Sequence, residues 1–277
     1  MKRIVFIALL FGMCLPGRLH AQALLSAAGR KPAVVDSDAV MVTFEPGVDR
    51  SLPSLSAAAP ELPVMSAELA LANYERRAAL QPVQLAAYSA TTVIHAELPD
   101  SSQQGEFEVE RKYNAPHTLL FKPIRFVGDK FVKSNIIARL LQSEVDHVEK
   151  DDLMATAISP ANYKFSSKGR AEVQGRPVYV YQVRPHQKRV GLFKGRMYLD
   201  EHTGSLVRVE GSIVKSPSFF VNHIQFVQDY GDFDSFTLPV HIHSEAKARL
   251  VGRTIIDITH TNYLPVPVQT QAFLPTM

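Results

Sequence analysis

Hydrophobic and polar residues alternate along most of the chain from residue 88 to residue 263, as they do in strands that bury one face. The clearest example is residues 106–113. Phe107, Val109 and Tyr113 point to one side of that segment, while three glutamates and a lysine point to the other. The alternation predicts ten strands, at residues 88–98, 106–113, 118–127, 163–173, 178–184, 195–200, 206–215, 219–230, 238–250 and 254–263.

Short links rich in turn-forming residues separate these strands. Gly175, Asp232 and Gly252 mark three of the links, and residues 202–204 (His-Thr-Gly) mark a fourth. Links of this length are too short for the crossovers that parallel strands need. The pattern therefore predicts an antiparallel meander of roughly ten strands, interrupted by one helix.

Two segments carry helical spacing instead. Residues 66–80 form the first, with Ser66 as a plausible N-cap and Pro82 as the terminator. Residues 131–148 form the second. In the first helix, positions at helical steps are Leu69, Asn73, Arg76 and Leu80. In the second, the apolar stripe is Ile137, Leu140, Leu141, Val145 and Val148.

The balance of strands and helices limits the architecture. Two helices cannot cover ten strands laid out flat, so the sheet is expected to curl around the helices. The predicted fold class is β-rich α+β, with a curled antiparallel sheet that is not completely closed. Such a sheet is a container with an apolar inner face, which its own side chains or a ligand could fill.

The N-terminus has the features of a secretory signal peptide. Lys2 and Arg3 precede the apolar run of residues 4–15, and residues 21–23 (Ala-Gln-Ala) form a small-x-small cleavage site. The alternative is an uncleaved anchor, but twelve apolar residues are too few to span a bilayer. The prediction is a cleaved signal at 1–23 and a periplasmic location.

Cleavage of the signal peptide would change the net charge of the chain and remove its single cysteine. The signal removes three basic residues and no acidic one, so 30 basic and 27 acidic side chains become 27 of each. A neutral chain lacks the basic footprint of a nucleic-acid binder. Cys14, the single cysteine, leaves with the signal, which excludes a disulfide and thiol catalysis. Met13 stands before Cys14, where a lipoprotein signal requires a small residue.

Composition divides the rest of the chain into three parts. Residues 24–65 are rich in Ala, Pro and Ser and are predicted to be a mostly disordered leader, with one short strand possible at 40–44. Residues 66–263 are predicted to be the folded domain, and residues 264–277 a Pro-rich tail. Hydrophobic residues make up 46% and charged residues 21% of the chain, which excludes a fully disordered protein. No apolar run after the N-terminus is long enough for a polytopic membrane protein.

Several turn-and-strand signatures of the domain resemble the periplasmic lipoprotein-carrier fold of the LolA type, which other lipid-binding proteins share. They are residues 162–165 (NYKF), 173–180 (VQGRPVYV), 193–200 (FKGRMYLD), 203–208 (TGSLVR) and 238–239 (LP). The resemblance covers about 66–263. It implies an unclosed barrel of antiparallel strands with helices in its mouth, which binds acyl chains in an apolar cavity without catalysis. None of the signatures matches a cargo-contacting or lid-locking residue.

Pattern and resemblance together predict an exported protein that binds a lipid or lipid-modified chain. Transport of lipids or lipoproteins across the envelope to the outer membrane is a candidate role. The expected partners are a lipid or acylated protein and a membrane-associated protein. No nucleic acid, cofactor or metal is expected, and the chain is expected to be a monomer. For each predicted lining residue the alternative is plain core packing. These residues are Tyr88, Ile94, Phe107, Val109, Leu199, Val207, Val209, Ile213, Ile224, Phe226, Ile256 and Ile258.

Two groups of polar residues suggest metal sites. His241 and His243 share one face of a strand and could bind Zn²⁺ with a third ligand, but the face continues with charged residues and reads as solvated surface. Asp229, Asp232 and Asp234 suggest a Ca²⁺ loop, yet their spacing lacks the ligand pattern of an EF-hand. A solvated turn is the preferred interpretation.

Two further functions stay open. The first is an interaction or sensory module that reports the state of the envelope to a membrane partner, for which the Pro-rich tail offers a docking segment. The second is a hydrolase, which no nucleophile elbow, phosphate loop or metalloprotease helix supports. The basic pairs Lys122/Arg125 and Lys188/Arg189 could meet lipid headgroups at a cavity mouth, but ordinary surface charge is the preferred interpretation.

Overall fold

The computed structural model describes residues 63–150, 153–216, 221–249 and 252–269. The predicted signal peptide, the leader up to residue 62 with its possible strand at 40–44, and the tail from residue 270 lie outside these ranges. None of the helices in these ranges combines the length and the apolar composition needed to cross a membrane.

The helices lie in two groups. Helix α1 spans Ala67–Gln84, and Ser66 caps it by accepting a hydrogen bond from Leu69 N, as predicted. The second group begins with α2 (Lys130–Val132), passes through a π-helical turn (Lys133–Ile137), and continues with α3 (Ala138–Glu149). A short helix α4 (Leu153–Thr156) follows, and Pro99–Ser101 form a single 3₁₀ turn.

The predicted end of α1 is wrong. The helix does not stop before Pro82 but includes it and reaches Gln84. Proline in a last turn removes only one helical hydrogen bond, and here Gln81 and Pro82 are both buried. The predicted stripe is also on the wrong side, since Leu69 and Leu80 are exposed while Ala70 and Tyr74 are buried.

Ten strands form one antiparallel sheet, which confirms the predicted fold class. Each lies within a few residues of its predicted position. The strands are β1 (Leu85–Leu98), β2 (Gln103–Asn114), β3 (Thr118–Gly128), β4 (Tyr163–Val173), β5 (Arg176–Pro185), β6 (Phe193–Asp200), β7 (Leu206–Ile213), β8 (Val221–Phe233), β9 (Phe236–Ala248) and β10 (Gly252–Pro267).

The order of the strands leaves the sheet open between β3 and β4. The sheet runs β3-β2-β1-β10-β9-β8-β7-β6-β5-β4, so the first and last strands pair with each other in the middle. Strands β3 and β4 are the two edges, and the α2–α4 segment connects them along the chain. The one helical interruption of the predicted meander is therefore the connection between the open edges.

A single large core lies inside the curved sheet. It contains side chains from β1, β2 and all of the strands from β4 to β10, packed against α1 and α3. Strands at opposite ends of a ten-stranded sheet can share one core only if the sheet curls. Gly204, with a positive φ of 68°, lies in the β6–β7 turn so close to α1 that a Cβ atom there would stand 2.7 Å from Ala70 O.

Strand β10 extends beyond the predicted domain end at residue 263. Tyr88 pairs with Pro265 and Leu85 with Pro267 in the register between β1 and β10. The pairing of β10 with β9 ends at Thr259. Beyond Thr259, the edge of β10 that faced β9 pairs with no strand, so a residue there need not donate a backbone N–H. Prolines are tolerated at such edge positions, so the Pro-rich composition did not mark the end of the strand.

Candidate functional site

An apolar cavity of about 190 Å³ lies between α1 and the segment 154–160, which comprises most of α4 and the first residues of the link to β4. Its floor comes from the sheet, where β7 and β9 each contribute one residue. The lining residues are Tyr74, Glu75, Arg77, Ala78, Ala79, Gln81, Met154, Ala157, Ile158, Ser159, Pro160, Leu206 and Thr237.

Polar contacts at both ends of the cavity hold α1 in place. Tyr74 Oη donates a hydrogen bond of 2.9 Å to Ile158 O, which ties the helix to the opposite wall. The Gln81 amide donates to Thr237 O at 3.1 Å and accepts from Thr237 N at 2.9 Å. Both the NH₂ group and the oxygen of the Gln81 side chain are therefore hydrogen-bonded to the backbone of β9.

The rim of the cavity is charged and its interior is apolar. Arg77 reaches Asp232 at 2.9 Å and Thr237 Oγ1 at 3.1 Å, which holds the guanidinium at the edge. Ala78, Ile158 and Leu206 form the inner surface. A closed apolar cavity of about 150 Å³ stays dry and binds a molecule of the size of benzene. A cavity of this size and lining therefore suits one apolar group.

The structure does not place the predicted lining residues at this cavity. Tyr88 belongs to a second cluster with Tyr113 and Tyr263, and Ile213 lies at the border of the main core. None of the twelve lines the cavity. The nine that pack together in the main core are Ile94, Phe107, Val109, Leu199, Val209, Ile224, Phe226, Ile256 and Ile258.

The expected inward orientation of Val207 is wrong. A bulge in the β6–β7 pairing sets Tyr198 opposite Arg208 and Leu199 opposite Leu206, so Val207 is the extra residue. Its side chain joins Val178, Val180 and Tyr198 in a separate cluster. Residues that alternate with those valines on β5 belong to the main core, which places this cluster on the other face of the sheet.

The side chains from α1 that line the cavity were missed because the wrong helical face was chosen. Ala70, Tyr74 and Ala78 recur at steps of four residues and lie on the face of α1 that is turned towards the sheet. Two alanines, one on either side of a tyrosine, are a weaker hydrophobic signal than the leucines, which are exposed. The recurrence of alanine was the signal that could have identified this face.

A buried ion pair joins the sheet to α3. Arg111 on β2 donates to Glu144 on α3, and both residues are buried. Arg111 also donates to Tyr88 Oη at 2.9 Å. Burial raises the pKa of Glu144, and the positive charge of Arg111 opposes that rise. The alternation on β2 places position 111 on the inner face, although an arginine occupies it.

Two histidines respond to their surroundings in opposite directions. His260 is buried beside Thr92, whose Oγ1 lies 2.9 Å from His260 Nδ1. Burial and the nearby positive charge of Arg111 lower the pKa of His260 well below its usual value of 6.5. Partial burial lowers the pKa of His243, but the hydrogen bonds and negative charges of Asp257, at 2.8 Å, and Glu245 together outweigh it, and the net shift is upward.

These shifts predict a stability loss in weak acid. His260 takes up a proton more readily in the unfolded chain, so its contribution to stability is complete above pH 6.5 and is lost as the pH falls towards its folded pKa. The slope from this one proton is about 1.4 kcal/mol per pH unit. His260→Gln is expected to flatten urea-unfolding stability below pH 6.5.

His243→Gln is the matched control for that measurement. Because the pKa of His243 is raised, its contribution is complete below pH 6.5 and is lost as the pH rises through the folded value. The control is expected to alter the slope above pH 6.5 and to leave the acid limb intact. If the unfolding free energy falls equally steeply below pH 6.5 in His260→Gln and in the parent chain, His260 is not the group responsible for the acid loss.

The candidate metal residues have protein partners. His241 and His243 both lie near Asp257 on the neighbouring strand, at 3.7 and 2.8 Å. Asp229 pairs with Arg208, and Asp232 with Arg77. Across the described residues, no three His, Cys, Asp or Glu side chains are arranged so that they could hold a metal ion.

Comparison with known proteins gives matches at the level of solved structures. No family profile matches the sequence, and no curated protein matches it. A LolA superfamily protein from Nitrosomonas europaea aligns with 76% of this chain and 100% of its own, at 9% identity and a TM-score of 0.37. A DUF1329 family protein from Desulfovibrio piger aligns with 75% of this chain and 94% of its own, at 9% identity and a TM-score of 0.37.

A third solved structure is a domain from Vibrio parahaemolyticus named for outer membrane lipoprotein sorting. It aligns over 75% of this chain and 92% of its own, at 12% identity and a TM-score of 0.35. The chain is thus similar to structures of the type that its turn-and-strand signatures resemble.

Proposed function

We propose that this chain is an exported, periplasmic protein that binds the apolar part of a lipid or of a lipid-modified chain in the cavity beneath α1. The observation that carries the proposal is the cavity itself, an unfilled apolar space of about 190 Å³. Each buried methylene contributes about 0.8 kcal/mol, so an acyl chain binds there without a polar contact.

The dimensions limit what this site encloses. Pockets that enclose a whole small molecule usually measure roughly 300–1,000 Å³, which is larger than this cavity. The site therefore holds one apolar segment, such as the end of an acyl chain, while the remainder of the molecule stays outside. Transport of lipids or lipoproteins across the envelope is the role that such partial enclosure suits, because the cargo stays accessible to a donor and an acceptor.

A cavity-filling variant tests the proposal. Ala78 lines the cavity from α1, so Ala78→Phe is expected to occupy the space and reduce the affinity for a fluorescent fatty acid at least tenfold. Ala72 lies on the exposed side of the same helix, and Ala72→Phe is the matched control with unchanged affinity. The measurement is a titration of delipidated protein with the probe.

Two results would contradict the proposal. One is a delipidated parent protein that does not bind the probe. The other is an Ala78→Phe variant that binds the probe as well as Ala72→Phe does, while circular dichroism shows that both are folded. The second result would move the site elsewhere in the fold.

An interaction module is the second candidate, and the open edge of the sheet favours it. Leu120, Ile124 and Val127 on edge strand β3 are all more than half exposed. An unpaired edge with apolar side chains is a surface on which an extended partner segment can add a strand. Such a partner would slow amide hydrogen exchange in β3 and leave the exchange of edge strand β4 unchanged.

The hydrolase alternative has no comparable support. Thr92 pairs with His260 and Thr156 with His147, and both of these hydroxyl–imidazole pairs are buried inside the protein. Neither pair lines the cavity. A binding function therefore stays the proposal.

A further inference from the structure

Positive charge is concentrated in one part of an otherwise balanced chain. Residues 163–196 contain nine lysines and arginines and one acidic residue, Glu172. This segment comprises β4, β5 and the first half of β6, which together form one edge of the open sheet. The chain beyond the predicted signal has equal numbers of basic and acidic residues. Three of the nine cations, Arg170, Arg176 and Arg196, have carboxylate partners outside this segment, and the other six give this edge an excess of positive charge.

Several of these cations project from the same face. Lys164 on β4 pairs in register with Arg184 on β5, and Gln182 on β5 pairs with Arg196 on β6. Partners in register share a face, and residues two apart on β5 share it as well. Val183 lies between Gln182 and Arg184 and points into the main core. Arg184, Lys164 and Arg196 therefore lie on the outer face.

Three cations surround an open groove of about 600 Å³ on this face. They are Arg184, Lys188 and Lys194, and the groove is completed by Gln182, Pro185, Gly195 and Val214. No carboxylate lines the groove, and within the described ranges none of the three cations forms an ion pair. Arg196, by contrast, lies 3.7 Å from Glu210. Uncompensated cations around a groove form a surface that attracts anions.

The same region adjoins a wall of the apolar cavity. Arg189 donates to Ala155 O and, at 3.2 Å, to Asn162 Oδ1, and His186 Nε2 lies 3.0 Å from Pro160 O. The loop that follows β5 is therefore fixed to the segment that forms one wall of the cavity. Met154 in that segment lines the cavity and is 53% exposed. Unpaired cations and an exposed apolar side chain thus adjoin one short loop.

We propose that the outer face defined by Arg184, Lys188 and Lys194, together with Met154 on the other side of the loop that follows β5, docks the protein on a bilayer of anionic phospholipid. The cations meet the headgroup phosphates, and Met154 inserts at the boundary of the acyl chains. The exposed methionine across the loop from the cations favours a lipid surface over an acidic polypeptide, because a polypeptide gives that side chain no apolar layer to enter. This docking goes beyond the proposed function and does not require an occupied cavity.

Vesicle co-sedimentation of the full mature chain tests the proposal. The parent protein is expected to bind vesicles of phosphatidylcholine mixed with an equal amount of phosphatidylglycerol, and not vesicles of phosphatidylcholine alone. Added sodium chloride is expected to release it. Each lysine or arginine near an anionic surface contributes about fivefold in affinity, so Arg184→Gln/Lys188→Gln/Lys194→Gln is expected to lose about 100-fold.

The matched control removes the same number of charges elsewhere. Lys122, Lys130 and Lys247 are exposed and lie on β3, α2 and β9. Lys122→Gln/Lys130→Gln/Lys247→Gln is expected to lose only a few-fold in affinity. Equal losses in the two triple variants, or equal binding of the parent protein to both kinds of vesicle, would overturn the proposal. So would binding of polyglutamate through the three groove cations without any binding to vesicles.

Discussion

Replacement of Glu144 by alanine is expected to lower the free energy of unfolding by about 3–5 kcal/mol, because it leaves Arg111 buried without its partner charge. Arg111 lies inside the sheet, where its guanidinium is 5.3 Å from the centre of the Phe121 ring. Arg111→Met is expected to be similarly costly, since it leaves a buried carboxylate whose pKa burial already raises.

The double variant Arg111→Met/Glu144→Leu is the control for these single changes. It removes both charges and keeps comparable apolar volume, so it is expected to be about as stable as the parent chain. Urea unfolding of the parent chain, Arg111→Met, Glu144→Leu and the double variant gives the coupling energy between the two residues. If the double variant loses as much unfolding free energy as the two single variants combined, the two charges are not coupled, which would contradict this account.

Phe107→Ala is expected to cost about 3–5 kcal/mol, the loss typical of a large side chain removed from a filled core. Phe107 is 7% exposed, and its ring meets Phe126 edge-on with 5.9 Å between ring centroids. The ammonium of Lys133 lies 5.2 Å from the centre of the same ring. Urea unfolding measures this loss, and a fatty-acid titration shows that binding by the folded variant is retained.

Phe131→Ala is the matched control, since Phe131 is 41% exposed on α2. It is expected to cost well under 1 kcal/mol, as surface substitutions do. A small loss of stability in Phe107→Ala, combined with a large loss of probe affinity, would contradict the interpretation that Phe107 lies in a filled core. The space inside the sheet would then be a ligand cavity, and the twelve residues predicted from the sequence would include its lining.

The strands were predictable because one face of each is buried and the other is solvated. In β2 the observed burial alternates just as Phe107, Val109 and Tyr113 alternate with their charged neighbours. Antiparallel pairing followed from the short links. The opening of the sheet between β3 and β4 agrees with the resemblance to the lipoprotein-carrier fold, which implied an unclosed barrel.

The errors arose where a tertiary contact overrides the local pattern. A bulge that depends on the partner strand turns Val207 to the other face. Pairing with β1 extends β10 through Pro265 and Pro267. The sheet selects the alanine and tyrosine face of α1 rather than its leucines, because only small residues allow the close approach seen at Gly204 and Ala70.

The cavity could not be predicted from the spacing of residues along the chain. It forms where α1, the segment 154–160, β7 and β9 meet, and these parts are far apart in the sequence. No motif marks such a site, because its lining is ordinary apolar and small residues. The sequence supported an apolar container, and the structure shows an unfilled space beside the helix rather than among the predicted lining residues.

Photo-crosslinking with a fatty acid that carries a diazirine near the end of its acyl chain tests the location of the site most directly. The delipidated mature protein is irradiated with the probe, and the labelled peptides are identified by mass spectrometry. We predict saturable labelling of peptides that contain residues 74–81 and 154–160, which unlabelled fatty acid suppresses. Saturable labelling confined to β2 around Phe107 and Val109, or no saturable labelling at all, would contradict a binding site beneath α1.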